Sequence, residues 1–195
     1  MIDLSPYNNL PELTGVLNPY ITGSLYSQNY QIIQVPKRNY WVLMDKTEDI
    51  FNKGAYSDDN LALITSYLPE LLNKEFSSIL IAGLGLGIMP YICKNNSSCS
   101  VVDVVEINQE VIDLVTSIGH LNNINIINDN IFTYEPTITY DIILLDIWDC
   151  VDCDENLQNE IATLVDKYKP YLNTNGFIYT PVNINLGDVT YSKFW

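Results

Sequence analysis

Three glycines and one acid form the part of this chain whose residue types and spacing most plainly suit chemistry. In Ile79-Leu-Ile-Ala-Gly-Leu-Gly-Leu-Gly-Ile88 an apolar run ends in a loop carrying Gly83, Gly85 and Gly87. A second apolar run, Val101-Val-Asp-Val-Val-Glu106, ends in a carboxylate, about twenty residues on, the spacing of a strand–helix–strand nucleotide-binding unit. Glycine lets the backbone approach a ligand where a side chain would stand in the way. An acid at the end of the neighbouring run is placed to accept hydrogen bonds from two ribose hydroxyls. Further acids follow in Asn128-Asp129-Asn130 and Asp146-Ile-Trp-Asp149. Asp146 ends an apolar run, at a strand end where a carboxylate is a candidate for catalysis. Trp148 could wall a cation by cation–π contact, a core position being the alternative. Together these residues point to a nucleoside ligand.

Positioning them requires parallel strands with helices between. Residues 1–28 are rich in Pro, Asn, Tyr and Ser without a sustained period and read as a loosely structured lead-in. Tyr30-Gln-Ile-Ile-Gln-Val35 and Tyr40-Trp-Val-Leu-Met44 flank Pro36-Lys-Arg-Asn39 and predict an antiparallel hairpin. From Asn60 onward Leu61, Ile64, Leu68 and Leu71 share one helical face, with Pro69 kinking or ending the helix. Strand 79–83 leads to a helix opening near Pro90, and strand 101–106 to a helix with Asn108 as N-cap and Gly119 as stop. Ile124-Asn-Ile-Ile127 is a short strand, and Tyr140-Asp-Ile-Ile-Leu-Leu-Asp146 is apolar enough for the middle of a parallel sheet. A helix from about residue 155 carries Leu157, Ile161, Leu164, Val165 and Tyr168 on one stripe, and Gly176-Phe-Ile-Tyr-Thr180 makes a fifth strand. The alternation predicts an α/β fold: a Rossmann-like, doubly wound, mostly parallel sheet with a small N-terminal β-hairpin region. Residues 1–54 are expected to form the lead-in and hairpin region, and residues 55–195 the Rossmann-like ligand-binding domain. Ligands of such sheets bind beyond the carboxyl ends of the strands, at the point where strand order reverses. Gly83 to Gly87, Glu106, Asp129 and Asp146 all fall at strand ends.

Bulk properties narrow the partners. At 195 residues the chain fits one domain with a small appendage and can bury a core. Its formal net charge is −15, and Arg38 is the only arginine. Nucleic-acid binders neutralise phosphates with clustered lysine and arginine, so no nucleic-acid partner is expected. A small-molecule acceptor suits this field, a cationic amine most of all, although acidity also serves solubility alone. No apolar run approaches the roughly 18 residues that span a membrane, and the N-terminus lacks a signal-peptide pattern. No membrane partner and a cytoplasmic location are therefore expected. Cys150-Val-Asp-Cys153 has the gap of a metal or redox pair, but Cys93 and Cys99 lie six residues apart with no histidine nearby to complete a tetrahedral site. No metal is expected. His120, the sole histidine, reads as structural.

The third glycine separates the candidate ligands. Dinucleotide folds use G-x-G-x-x-G, whose last glycine packs the helix against the strand as its N-terminus receives the pyrophosphate. Here the spacing is G-x-G-x-G, and Ile88 stands where that last glycine belongs. A loop without phosphate duty suits S-adenosylmethionine, a sulfonium cation. Gly83-Leu-Gly-Leu-Gly87 followed by Val105-Glu-Ile-Asn-Gln-Glu-Val-Ile112 resembles the class I S-adenosylmethionine-dependent methyltransferase superfamily, and within it the spermidine-synthase-like branch. With Asp146-Ile-Trp148 the loop is also similar to methyltransferase-like proteins of phages.

The resemblance covers about residues 28 to 181 and implies S-adenosylmethionine as the cofactor. It implies that Asp129 accepts from the adenine amino group, that the Asn130 N–H reaches a ring nitrogen, and that Ile107 lies against the adenine face. The alternative for Asp129 is a turn residue bonding its own backbone. Asp146-Ile-Trp-Asp149 stands where spermidine synthases carry Asp-Ser-Ser-Asp or a close variant, which implies that Asp146 and Asp149 bind and deprotonate an attacking amine. Ala55-Tyr56-Ser57-Asp58 lies where aminopropyltransferases show Tyr-His-Glu. Tyr56 matches, Ser57 replaces the histidine and Asp58 shortens the glutamate, so Tyr56 and Asp58 join Trp148 as substrate-binding candidates. Leu86 stands where those enzymes carry an aspartate for the propylamine end of decarboxylated S-adenosylmethionine, which favours the ordinary cofactor.

The methyltransferase sheet closes with an antiparallel hairpin, whereas the fifteen residues after Thr180 leave room for one edge strand, Asp188–Lys193. A sheet abbreviated at the C-terminus would expose an edge that a second copy could cover, making a homodimer an expectation. The reading is thus an S-adenosylmethionine-dependent methyltransferase acting on a small molecule, in a host's cytoplasm if the chain is phage-encoded. An aminopropyltransferase making polyamines and a non-catalytic nucleoside-binding module are the alternatives.

Overall fold

The computed structural model describes residues 17–34, 41–47, 75–96, 98–148 and 155–180, with 57–58 as backbone. The predicted helix from Asn60 and the segment after Thr180 lie outside the described residues.

The N-terminal region is a four-stranded antiparallel sheet ordered β1(Leu25–Tyr26), β2(Tyr30–Gln34), β3(Trp41–Asp45), β4(Ser57–Asp58). The predicted hairpin is its centre, with Ile32 opposite Leu43 and Gln34 opposite Trp41. Two features differ from the sequence reading. The lead-in is not loose over its described part: Leu17 is 0% and Ile21 6% exposed, and one turn joins them through Ile21 N–H to Leu17 O at 3.0 Å. A single turn and a two-residue strand are too short to show a period. Ser57–Asp58 pairs with β3, so this sheet reaches beyond the boundary expected after residue 54.

The second sheet is built from β5(Ser78–Ala82), α1(Ile88–Lys94), β6(Val101–Glu106), α2(Gln109–Thr116), β7(Asn125–Asn128), β8(Tyr140–Leu145), α3(Glu155–Tyr168) and β9(Leu172–Tyr179). Its strands run parallel in the order β7-β6-β5-β8-β9. This is the Rossmann-like doubly wound architecture, and strand order reverses between β5 and β8. Period-two alternation explains the two cores. Ile79, Ile81, Val102, Val104, Ile142 and Leu144 face a cluster that contains Val111, Ile112 and Val115 of α2 and Ile92 of α1. Leu80, Ala82, Val105, Ile143 and Leu145 face the other way, onto Ile161, Leu164, Val165 and Tyr168 of α3. Burying one such side chain contributes about 1.5–3 kcal/mol, so strands covered on both sides form the rigid centre. Among the described residues no helix is long and apolar enough to cross a membrane.

The N-terminal sheet shares the first core: Leu17, Tyr30, Ile32, Trp41 and Leu43 belong to the same cluster as β5 and α2. At the opposite ends of the strands Asp141 of β8 clamps the entrance to β5, accepting from Ser77 N–H at 2.7 Å and Ser78 N–H at 3.1 Å. Burial alone would raise that carboxyl, but hydrogen bonds from Asn173, Ser77 and Ser78 pull it down to about 2. β9 starts at Leu172, earlier than the predicted Gly176. Asn175 there has φ +67° and the pairing with β8 shifts register, which a polar Asn-Thr-Asn stretch conceals.

Candidate functional site

The glycine loop leaves β5 at the point of reversal, between the ends of β6 and β8. Gly83 N–H donates to Val105 O at 2.9 Å, and Asp146 N–H donates to Ala82 O at 3.0 Å. All three glycines take left-handed backbone, with φ +93° at Gly83, +50° at Gly85 and +73° at Gly87. A Cβ at Gly83 would lie 2.3 Å from the Asp146 carbonyl oxygen, and one at Gly87 2.8 Å from Leu121. The intervening Leu84 and Leu86 are 4% and 0% exposed. The loop is thus anchored by its leucines and bent by its glycines.

Glu106, 3% exposed, joins this loop to the next helix. Its Oε2 accepts from Leu84 N–H at 3.0 Å, and its Oε1 from Asn108 N–H at 2.8 Å. A carboxylate oxygen accepts two hydrogen bonds, so each retains capacity for a ribose hydroxyl.

Asn108 caps α2 as the sequence suggests: its Oδ1 accepts from Glu110 N–H at 3.0 Å and Val111 N–H at 3.4 Å. Its Nδ2 also donates to the Tyr30 hydroxyl at 2.7 Å. Beside it Glu110 accepts from Asn29 N–H at 2.6 Å and Asn29 Nδ2 at 2.9 Å. Hydrogen bonds from Ser27, then Asn29, hold the Glu110 carboxyl below its ordinary value. Sequence reasoning missed this clip between the N-terminal sheet and the acid-bearing strand end, because no local pattern links Asn29 or Tyr30 to residues so far along the chain. Asn108→Ala is expected to destabilise the fold by about 1 kcal/mol, read as a lower urea midpoint at unchanged slope.

The outer strand ends carry the other candidates. Ile107 is 66% exposed, an apolar face presented to solvent directly after Glu106. Asp129 N–H donates to Glu106 O at 3.2 Å, placing Asp129 beside that strand end. Its Oδ1 accepts from Asn130 N–H at 2.7 Å, the self-bonding turn of the alternative reading. The Asn130 N–H, expected to meet a ring nitrogen, is therefore engaged by its neighbour, as short acidic side chains in turns favour.

Asp146 follows β8 and is exposed. The protein mass around it nevertheless raises its carboxyl by desolvation from the ordinary aspartate value to about 6. Because Asp146 is exposed, water screens part of that desolvation. Trp148 is half-buried against the α3 core, and its Nε1–H donates to Glu160 of α3 at 2.7 Å, so part of its surface serves the core rather than a cation. Tyr56, Asp149, the Asp58 side chain and the Cys150–Cys153 pair lie outside the described residues. Cys93 and Cys99 are buried free thiols, and burial pushes Cys99 up to about 11, as suits apolar filler.

No family model matches the chain. It is similar to the curated protein malonyl-[acyl-carrier protein] O-methyltransferase 2 of Ilyobacter polytropus, with 33% identity over 100 residues, 48% of this chain and 39% of that protein. The chain therefore aligns with well under half the length of this relative. Among solved structures, it resembles the plantazolicin methyltransferase BpumL in complex with SAH, at 25% identity and a TM-score of 0.43 over 62% of this chain and 44% of that one. The N-methyltransferase NodS from Bradyrhizobium japonicum WM9, in complex with S-adenosyl-l-homocysteine, is 16% identical with a TM-score of 0.44 over 60% of this chain and 56% of that one. DhpI, in a complex with SAH, is 14% identical with a TM-score of 0.47 over 60% and 54%.

Proposed function

We propose that this chain is an S-adenosylmethionine-dependent methyltransferase acting on a small-molecule acceptor. The observation that carries the reading is the junction of three left-handed glycines with the buried Glu106 carboxylate, through Leu84 N–H, at the reversal of a parallel sheet. The residues fit an adenosyl group. Glu106 keeps acceptor capacity for both ribose hydroxyls, Ile107 offers an exposed apolar face for the adenine, and Asp129 accepts from the adenine amino group. Gly83 to Gly87 give the methionine portion a bare backbone. The methyltransferase named above, aligned over 100 residues, supports the same reading.

Bound S-adenosylmethionine supplies an electrophilic methyl group on sulfur. The chain's own part is to hold an acceptor in line with that methyl carbon and to manage one proton. Asp146 sits beside the glycine loop and serves as that base: its carboxylate orients the acceptor's N–H or O–H and takes the proton. Asp149, Tyr56, Asp58 and Trp148 are the further acceptor-side candidates. A net charge of −15 opposes an anionic acceptor such as a malonyl carboxylate and favours a neutral or cationic one. Leu86 is fully buried where the aminopropyltransferase resemblance calls for aspartate, which favours methyl over aminopropyl transfer.

Calorimetry with S-adenosylmethionine and S-adenosylhomocysteine tests the reading. Glu106→Gln should weaken binding about 10- to 100-fold, because charge-assisted hydrogen bonds contribute about 1.5–3 kcal/mol and the new amide must turn a donor toward one of the two backbone N–H groups. Absence of binding by the folded wild-type protein would overturn the proposal. Binding without methyl transfer to any amine or alcohol panel would favour a nucleoside-binding module.

A further inference from the structure

We infer that His120 is a positioning residue for the glycine loop, its neutral Nε2–H tautomer holding the Leu86 carbonyl and so setting the bend that receives the ligand. The ligand part of this inference rests on the methyltransferase reading; the loop-holding part stands on geometry.

His120 follows α2 and is 6% exposed. Its Nε2 lies 3.0 Å from Leu86 O. A carbonyl oxygen only accepts, so Nε2 carries the proton and donates. Among the described residues the other nitrogen, Nδ1, is buried without a hydrogen-bond partner, and a proton there would find no acceptor among them. Burial accordingly pulls the ring's pKa down, against the opposing effect of the Leu86 bond. The ring is held from two further elements. Tyr20, before β1, and Tyr91 of α1 each place a ring centroid 5.9 Å from it, and their hydroxyls meet at 3.1 Å.

The loop is shaped to this ring. A Cβ at Gly87, already strained at φ +73°, would come 3.0 Å from His120 Nε2 and 2.8 Å from Leu121, so a side chain there would press on the histidine as well as on the leucine. His120 thus occupies the volume under the loop while its N–H fixes the carbonyl between Gly85 and Gly87. An apolar ring of the same size would fill the volume but leave that carbonyl without this donor. Only the donor distinguishes positioning from packing.

Because the chain contains one histidine, ring-nitrogen NMR of 15N-histidine-labelled protein reports on this residue alone. Near neutral pH it should show protonated Nε2 and unprotonated Nδ1. His120→Phe keeps an aromatic filler and removes the donor, whereas His120→Gln can return an amide N–H near the Nε2 position. His120→Phe should speed amide hydrogen exchange at Gly87 and weaken S-adenosylhomocysteine binding about three- to tenfold, the effect of one net hydrogen bond. His120→Gln should recover at least half of both effects. An imidazolium or an Nδ1–H tautomer at neutral pH overturns the inference, as do Phe and Gln variants with equal exchange. If the wild-type protein binds no adenosyl compound, the proposed function fails, while the tautomer and exchange measurements still decide the role of His120.

Discussion

Gly83→Ala is expected to abolish adenosyl-ligand binding and to destabilise the fold by about 2–5 kcal/mol, the range of severe backbone and packing defects. Two penalties coincide at this position. Its φ of +93° is strained for any L side chain, at a cost of about 1–2 kcal/mol. The added Cβ would also lie 2.3 Å from the Asp146 carbonyl oxygen, a backbone atom at the end of an adjacent strand. Neither partner can step aside cheaply, since Gly83 N–H is bonded to Val105 O and Asp146 N–H to Ala82 O. Relief therefore requires β5 and β8 to part where the site is assembled. Gly23→Ala is the control: nothing lies within 4 Å of its added Cβ, and stability should stay within about 0.5 kcal/mol. Urea unfolding of both variants reads the difference, and equal midpoints would remove the loop's special status.

Asp146→Asn carries the largest expected effect on turnover. A positioned general base contributes about 10²–10⁴-fold, so methyl transfer should fall by that factor while S-adenosylhomocysteine affinity stays within about threefold. The wild-type pH profile follows from the raised carboxyl. The active form is the carboxylate, so the rate should climb as pH rises through about 6 and fall below it. Stability should move the other way. A carboxyl whose folded value lies above its unfolded value of about 3.9 favours the fold when protonated. That contribution is complete below the unfolded value and is lost as pH rises through the folded one. The asparagine variant should therefore melt slightly higher than wild type at pH 8, with the gap closing toward pH 4. Solvent exposure of Asp146 keeps this gap small. Unchanged turnover in the variant would assign the proton to another group, Asp149 first among the candidates.

The legible parts of this chain are those whose cause is local. β5, β6 and β8 announce themselves as short continuous apolar runs, because strands covered on both faces need no polar alternation. Asn108 caps its helix through amides two and three residues away, so the cap can be read from neighbours alone. Gly83 and Gly87 are legible for the same reason: a left-handed bend demands glycine wherever the fold places it. The acids at 106, 129 and 146 follow from strand ends, which the apolar runs define. Less was visible where irregular backbone interrupts a pattern, as in the early start of β9, or where an element is too short to have one, as around Leu17 and Ile21.

Sequence alone therefore determined the strand–helix alternation, the bend after β5 and the row of acids beyond the strand ends, since each depends on residues within a few positions of one another. Tertiary structure decided the use of individual side chains. The sheet order brought Asp146 against Gly83; the packing of the N-terminal sheet clipped Asn29 to Glu110 and Tyr30 to Asn108; α3 drew the Trp148 indole to Glu160; and the turn after α2 carried His120 beneath Leu86. Those pairs lie 12 to 81 residues apart. Hydrogen bonds over such separations form only once the hydrophobic faces have docked, and periodicity carries no record of which elements will meet.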